Sequence, residues 1–414
     1  MFFVREDLPD TSRVPDALDP PLWLNTSYLL SSPSHERALA ILDEFLKSHA
    51  EKLIPDPAKR AILTRDLWAV FDWTVERESD RPDEPAYEKE KRELQSRLAE
   101  VMRRIALTSE EIRSLPPSYA QAVASGEFAK EYDPEHRDRP FLPPDLFAPR
   151  SSWVELFSQG AGFDSGQIAA QHANAFSRST FMVFLRLPGG RKATFDYIRS
   201  LWDFPQPWIP RPDDKRGEQT SINLQLPQFP AGTQVALVRQ LMLFDNGGEL
   251  LGTPITESVQ IRVYRRIEPA RDSFHNLEEQ REASGQDFYE FVLSRPQLFA
   301  GNGGGLRSVR RKEKEFGMFQ FFGPDKGSPA QRVGLDRYAP ILDECVECHR
   351  GTGINSVNSR EHLLKPYWLE HDYPENGPIP ANSNPWWVDE TGVSAKQKRY
   401  DWGLLNGYWI SRKP

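Results

Sequence analysis

The chain has 414 residues, 38% hydrophobic and 27% charged, which is long enough for two or three domains and at least one sizeable core. A formal charge of −8 with no long Lys/Arg block argues against nucleic-acid binding through a bulk basic field. No apolar run approaches the roughly 18 residues that a membrane helix needs, so no integral membrane segment is expected.

The first part reads as helical. From Ser34, the apolar residues Ala38, Leu39, Ile41, Leu42, Phe45 and Leu46 form one stripe. Asp56-Pro57 offers an N-cap followed by proline at the first helical position, and Ile62, Leu63, Leu67, Trp68, Val70, Phe71 and Val75 continue as a second helix. Residues 85–107 mix Glu, Lys, Arg and Leu at helical spacing, as in Glu88 with Arg92. Thr108 with Glu111 has the capping-box pattern. Residues 130–150 then turn proline-rich and charged, as an inter-domain connection would.

The middle third changes period. Ser179–Leu187 and Thr233–Phe244 are apolar, partly β-branched runs, closed by Pro188-Gly189-Gly190 and Asp245-Asn246-Gly247-Gly248. Residues 257–265 alternate polar and apolar, the mark of a strand with one wet face. Residues 150–268 are thus expected to form an antiparallel sheet or small sandwich, crossed by one helix over 193–202. Further on, 286–298 reads as a helix and Gly301–Gly305 as a break. An aromatic run follows at 316–322, a helix is expected over 338–349, and another over about 360–370. The tail is rich in tryptophan, including Trp368, Trp402 and Trp409. The expected fold class is α+β: a helical N-terminal region (1–145), a β-rich domain (146–275) and a mainly helical C-terminal domain (276–414).

The chemistry is concentrated in that last part. Both cysteines of the chain lie in Cys345-Val346-Glu347-Cys348-His349, a Cys-x-x-Cys-His pattern. Residues three and four apart share a helical face, so both sulfurs and the imidazole can converge on one flat ring. In this motif alone the chain resembles c-type cytochromes. The resemblance implies haem c held by thioether bonds at Cys345 and Cys348, with His349 on the iron.

A second axial ligand decides what such a haem does, since a closed iron suits electron transfer and an open one admits small ligands. The downstream methionine of small monohaem cytochromes c has no counterpart, because no methionine follows His349. Met318, His362 and His371 are the candidates near the motif, with His172 as a distant one. Arg350, Arg360, Tyr338 and Trp368 could line the crevice or meet propionates. The leading expectation is a single-haem electron carrier with a redox partner protein, ahead of a haem enzyme with an open distal site, such as a peroxidase-like one. A third reading is a haem-free protein with a structural Cys2His2 zinc site of Cys345, Cys348, His362 and His371. A reversible dithiol fits less well, because no strand of a βαβ unit precedes the motif and flanking acids raise thiol pKa values.

Residues 1–7 lack a charged n-region followed by an apolar core. Covalent haem is normally attached outside the cytoplasm, so the expected location is periplasmic or otherwise extracytoplasmic, with Met1 the start of a processed chain.

Overall fold

The computed structural model describes residues 29–76, 87–156, 169, 172, 176–210, 220–267, 284–311, 313–316, 338–340, 342, 345–346, 349, 351–357 and 390–411. Helices α1 (Ser34–Lys47), α2 (Pro57–Glu76) and α3 (Glu88–Ile105) form the N-terminal layer. The Asp56 carboxylate caps α2, accepting from the backbone N–H groups of Ala58 and Lys59 at 2.8 and 3.2 Å. Helix α4 (Ser109–Arg113) starts on the expected capping box: Thr108 Oγ1 accepts from the Glu111 N–H, and the Glu111 side chain accepts from the Thr108 N–H. Helix α5 (Ser118–Ser125) follows, and α6 (Gly190–Trp202) covers the helix expected over 193–202.

The strands are β1 (Val154–Leu156), β2 (Ser179–Arg186), β3 (Trp208–Pro210), β4 (Thr220–Ile222), β5 (Thr233–Phe244), β6 (Leu250–Tyr264), β7 (Gln286–Leu293), β8 (Leu306–Ser308), β9 (Lys314–Phe316) and β10 (Tyr338–Pro340). One antiparallel six-stranded sheet runs β1-β2-β5-β6-β7-β8, with β3–β4 and β9–β10 as separate pairs. Asp245 makes the β5–β6 hairpin: its Oδ1 accepts from the N–H groups of Gly247 and Glu249, while Gly248 takes φ +87°.

One face of the sheet (Met182, Phe184, Val238, Val259, Ile261, Tyr289 and Phe291 among others) packs against α4, α5 and the 141–153 segment. Helices α7 (Arg295–Ala300), α8 (Glu390–Gln397) and α9 (Tyr400–Ile410) complete the described elements. Trp402, Leu405 and Trp409 of α9 join Trp68, Phe71 and Leu98 of the N-terminal helices, over the β5–β6 hairpin end at Phe244 and Leu250. The first and last described helices therefore share one core.

The antiparallel sheet expected over 150–268 is present, and β7 and β8 extend it to Ser308. Two expectations change. Residues 286–293 are a strand, and the described helix that follows is α7. Tyr289, Phe291 and Leu293 enter one core while Phe288 and Val292 enter the other, so both faces are apolar and the alternation that marks a strand is lost. Residues 338–340 pair as a strand rather than opening the motif helix. The helix expected over 360–370 lies outside the described residues.

Candidate functional site

The motif segment lies across the other face of the sheet. Leu342 and Val346, one turn apart, are both buried against Phe288 of β7 and Val309, with Cys345 and Val292 packed at the margin. That contact packs the described part of the motif segment onto β7.

The turn after the motif is fastened to the sheet by polar side chains. Gln286 Nε2 donates to the carbonyl oxygens of His349 (2.9 Å) and Gly351 (3.1 Å). Arg262 Nη1 donates to the carbonyl and to the Oγ of Ser356, each at 3.2 Å. Ser356 Oγ donates to the Gly353 carbonyl, so its 2.6 Å contact with Tyr264 is donated by the phenol. Gln228 Oε1 accepts from the Ile354 N–H at 3.1 Å.

These bonds orient His349. Its Nδ1 lies 2.8 Å from the Ser356 carbonyl oxygen, an atom that can only accept, so Nδ1 carries the proton and Nε2 is left with its lone pair. Burial, with the Arg262 charge adding to it, holds the imidazole well below its ordinary pKa, and the ring is neutral. A neutral imidazole with one nitrogen tied to a carbonyl is the form that ligates metals.

A second imidazole faces it. The His172 and His349 rings have centroids 6.4 Å apart and planes within 9° of parallel. His172 is likewise neutral, its pKa pushed down to about 4 by burial and then by Arg239 and Arg262. Each ring is surrounded by protein yet keeps some accessible surface, as groups lining a deep crevice do. Phe181 lies 6.2 Å from His172, centroid to centroid.

Cross-strand register builds the floor of this crevice. One row runs Phe181, Arg239, Ser258, Val292; the next runs Val183, Leu237, Gln260, Glu290; the third runs Leu185, Val235, Arg262, Phe288. The Arg239 guanidinium stacks on Phe176 at 3.8 Å and pairs with Glu257 at 3.3 Å. Glu290 accepts from Gln260 Nε2 at 3.3 Å and from the Cys345 thiol at 3.6 Å. Burial raises its pKa to about 7. The alternation over 257–265 thus marks one buried apolar face and one half-buried polar face rather than a wet one: the motif segment lies over the polar side, where Gln260 and Arg262 find partners.

Of the residues expected to bind, Cys345 and His349 are brought to this crevice. Cys348, Arg350, Arg360, His362, His371 and Met318 lie outside the described residues, as does Trp368. Among the described residues, no group of three or more His, Cys, Asp or Glu side chains is placed to hold a metal ion, and no helix is long and apolar enough to cross a membrane. Arg239, Arg262, Gln286, Glu290 and Ser356 were not singled out from sequence. A signal existed for two of them: Arg239 interrupts an apolar strand, and Glu290 stands between aromatic and aliphatic neighbours. Comparison with protein-family models, with curated proteins and with solved structures finds no match for this chain.

Proposed function

We propose that this chain binds one haem c through thioether bonds at Cys345 and Cys348, with His349 on the iron, and carries electrons to or from a redox partner protein in the periplasm or another extracytoplasmic space. The observation that carries the reading is the hydrogen bond from His349 Nδ1 to the Ser356 carbonyl, which leaves Nε2 unprotonated and aimed by a braced turn. The donor set suits a porphyrin: Cys345 and His349, with Cys348 between them in sequence, beside a sheet face with apolar Phe181, Val183 and Leu237.

The bound group would supply a one-electron couple at its iron. The chain's own residues hold His349 neutral, keep water from much of the crevice, and set two cations, Arg239 and Arg262, near the imidazoles. Those cations suit propionate carboxylates, a task that sequence suggested for Arg350 and Arg360. Electron carriage is preferred over catalysis because the single Cys-x-x-Cys-His motif supplies one redox centre.

The test is expression of the full chain with export and haem-attachment machinery. A mass increase of one haem and a pyridine haemochrome band of the thioether type are expected; unmodified thiols under those conditions would refute the reading.

A further inference from the structure

We propose that His172 is the second axial ligand, so that the iron of the covalent haem proposed for this site is closed between two histidines. The juxtaposition itself points there. Two nitrogen–metal bonds of about 2 Å each, with roughly 1 Å from each nitrogen to its ring centre, place two imidazole centres about 6 Å apart across one shared ion. The observed 6.4 Å matches that span. A direct N–H···N bond between the rings would bring their centres to about 5 Å. The spacing therefore leaves room for one atom between them.

The ring planes are compatible with this: two imidazoles across one metal can lie in near-parallel planes, and these two differ by 9°. His349 already has Nδ1 committed to Ser356, which leaves its Nε2 as the ligating atom.

The chain supplies reasons for His172 to stand there. Its carbonyl accepts from the Phe176 N–H at 2.8 Å. Phe176, in turn, is clamped beneath the Arg239 guanidinium and packed with Ala169 and Phe181. A ligand fixed by packing on one side and a ligand fixed by hydrogen bonds on the other form a preorganised pair. With both axial positions filled, a bound haem iron would exchange electrons without admitting oxygen, peroxide or carbon monoxide, which favours the carrier over the open-site enzyme.

The experiment uses full-length holoprotein and the variants His172→Ala, His172→Met, His362→Ala, His371→Ala and Met318→Leu. Haem staining after denaturing electrophoresis first reports covalent attachment, independently of axial ligation. The wild type should be low-spin in both oxidation states, with the near-infrared signature of two imidazoles, and its reduced form should not bind carbon monoxide. His172→Ala should become high-spin and bind carbon monoxide at close to one equivalent, and added imidazole should restore the low-spin spectrum. His172→Met should remain low-spin, acquire a sulfur-to-iron band and titrate at a higher potential, which separates ligation from a folding defect. The other three variants should keep the wild-type spectrum. The proposal fails if His172→Ala stays low-spin, if any of the other three turns high-spin, or if the wild type binds carbon monoxide rapidly. Stained, haem-loaded protein with any of those outcomes overturns the axial assignment alone; unstained protein overturns the haem itself.

Discussion

Arg262 donates one N–H group to both oxygens of Ser356, its carbonyl and its hydroxyl, and that carbonyl is the acceptor for His349 Nδ1. A cation on the central strand β6 is thus one hydrogen bond removed from the imidazole of the attachment motif. Its charge also lowers the basicity of both His349 and His172. A fixed positive charge near a haem favours the reduced, less positive iron.

Arg262→Gln should therefore lower the midpoint potential of the holoprotein by an amount on the order of tens of millivolts. Equilibrium redox titration by absorbance reads this directly, with Arg186→Gln, on the opposite face of the sheet beside Trp153, as a control. An unchanged or raised potential in Arg262→Gln would show that the charge does not act on the iron.

Glu290 gives the haem-free chain a pH dependence of known sign. Its carboxyl has an ordinary pKa of 4.5 and about 7 in the folded state, because burial disfavours the charged form. The folded state thus binds more protons than the unfolded state between those values, and stability falls as pH rises from about 4.5 to 7, then levels. Glu290→Gln should remove that slope and be more stable than wild type at pH 8, by on the order of 3 kcal/mol. Urea midpoints at pH 5 and pH 8 measure both; equal slopes in the two proteins would contradict the assignment.

Lys396 of α8 ties the two ends of the chain together. Its ammonium, almost fully buried, donates to Asp72 of α2 at 2.9 Å and to Asp401 of α9 at 2.8 Å. Lys396→Met should cost about 3 kcal/mol, since it removes a buried cation from two carboxylates. Arg178 remains on Asp72 and Arg399 on Asp401, so folding should survive at a lower urea midpoint. A loss under about 1 kcal/mol would place this cluster with ordinary surface pairs.

Gly353 sits at φ +53°, and a Cβ there would meet Gln228 Oε1 at 2.1 Å. Gly353→Ala should strain the turn by about 1–3 kcal/mol and push Gln228 off the Ile354 N–H it holds. Because this turn carries Ser356, the holoprotein should also show a broadened or mixed-spin haem spectrum. A lower unfolding midpoint with an unaltered spectrum would mean that the His349 bond withstands movement of the turn.

Local chemistry was legible from neighbouring residues alone. The caps at Asp56 and Thr108 and the hairpin turn at Asp245 rest on contacts within a few positions, and the strands over 179–186 and 233–244 are written as apolar runs in consecutive letters. Strand β7 was not, because a segment buried on both faces has no alternation to read. Arg262 and Gln260 looked like a wet face because sequence records polarity but not what lies on top of it.

The sequence by itself determined the candidate chemistry: the spacing of Cys345, Cys348 and His349 is local, and no fold is needed to see it. Only the tertiary structure decided which remote groups meet that motif. Ring spacing, a buried carboxyl beside Cys345 and a carbonyl brace on His349 depend on strand register and chain crossing, which bring distant positions together through space. His172, far upstream of the motif, became its partner by that route.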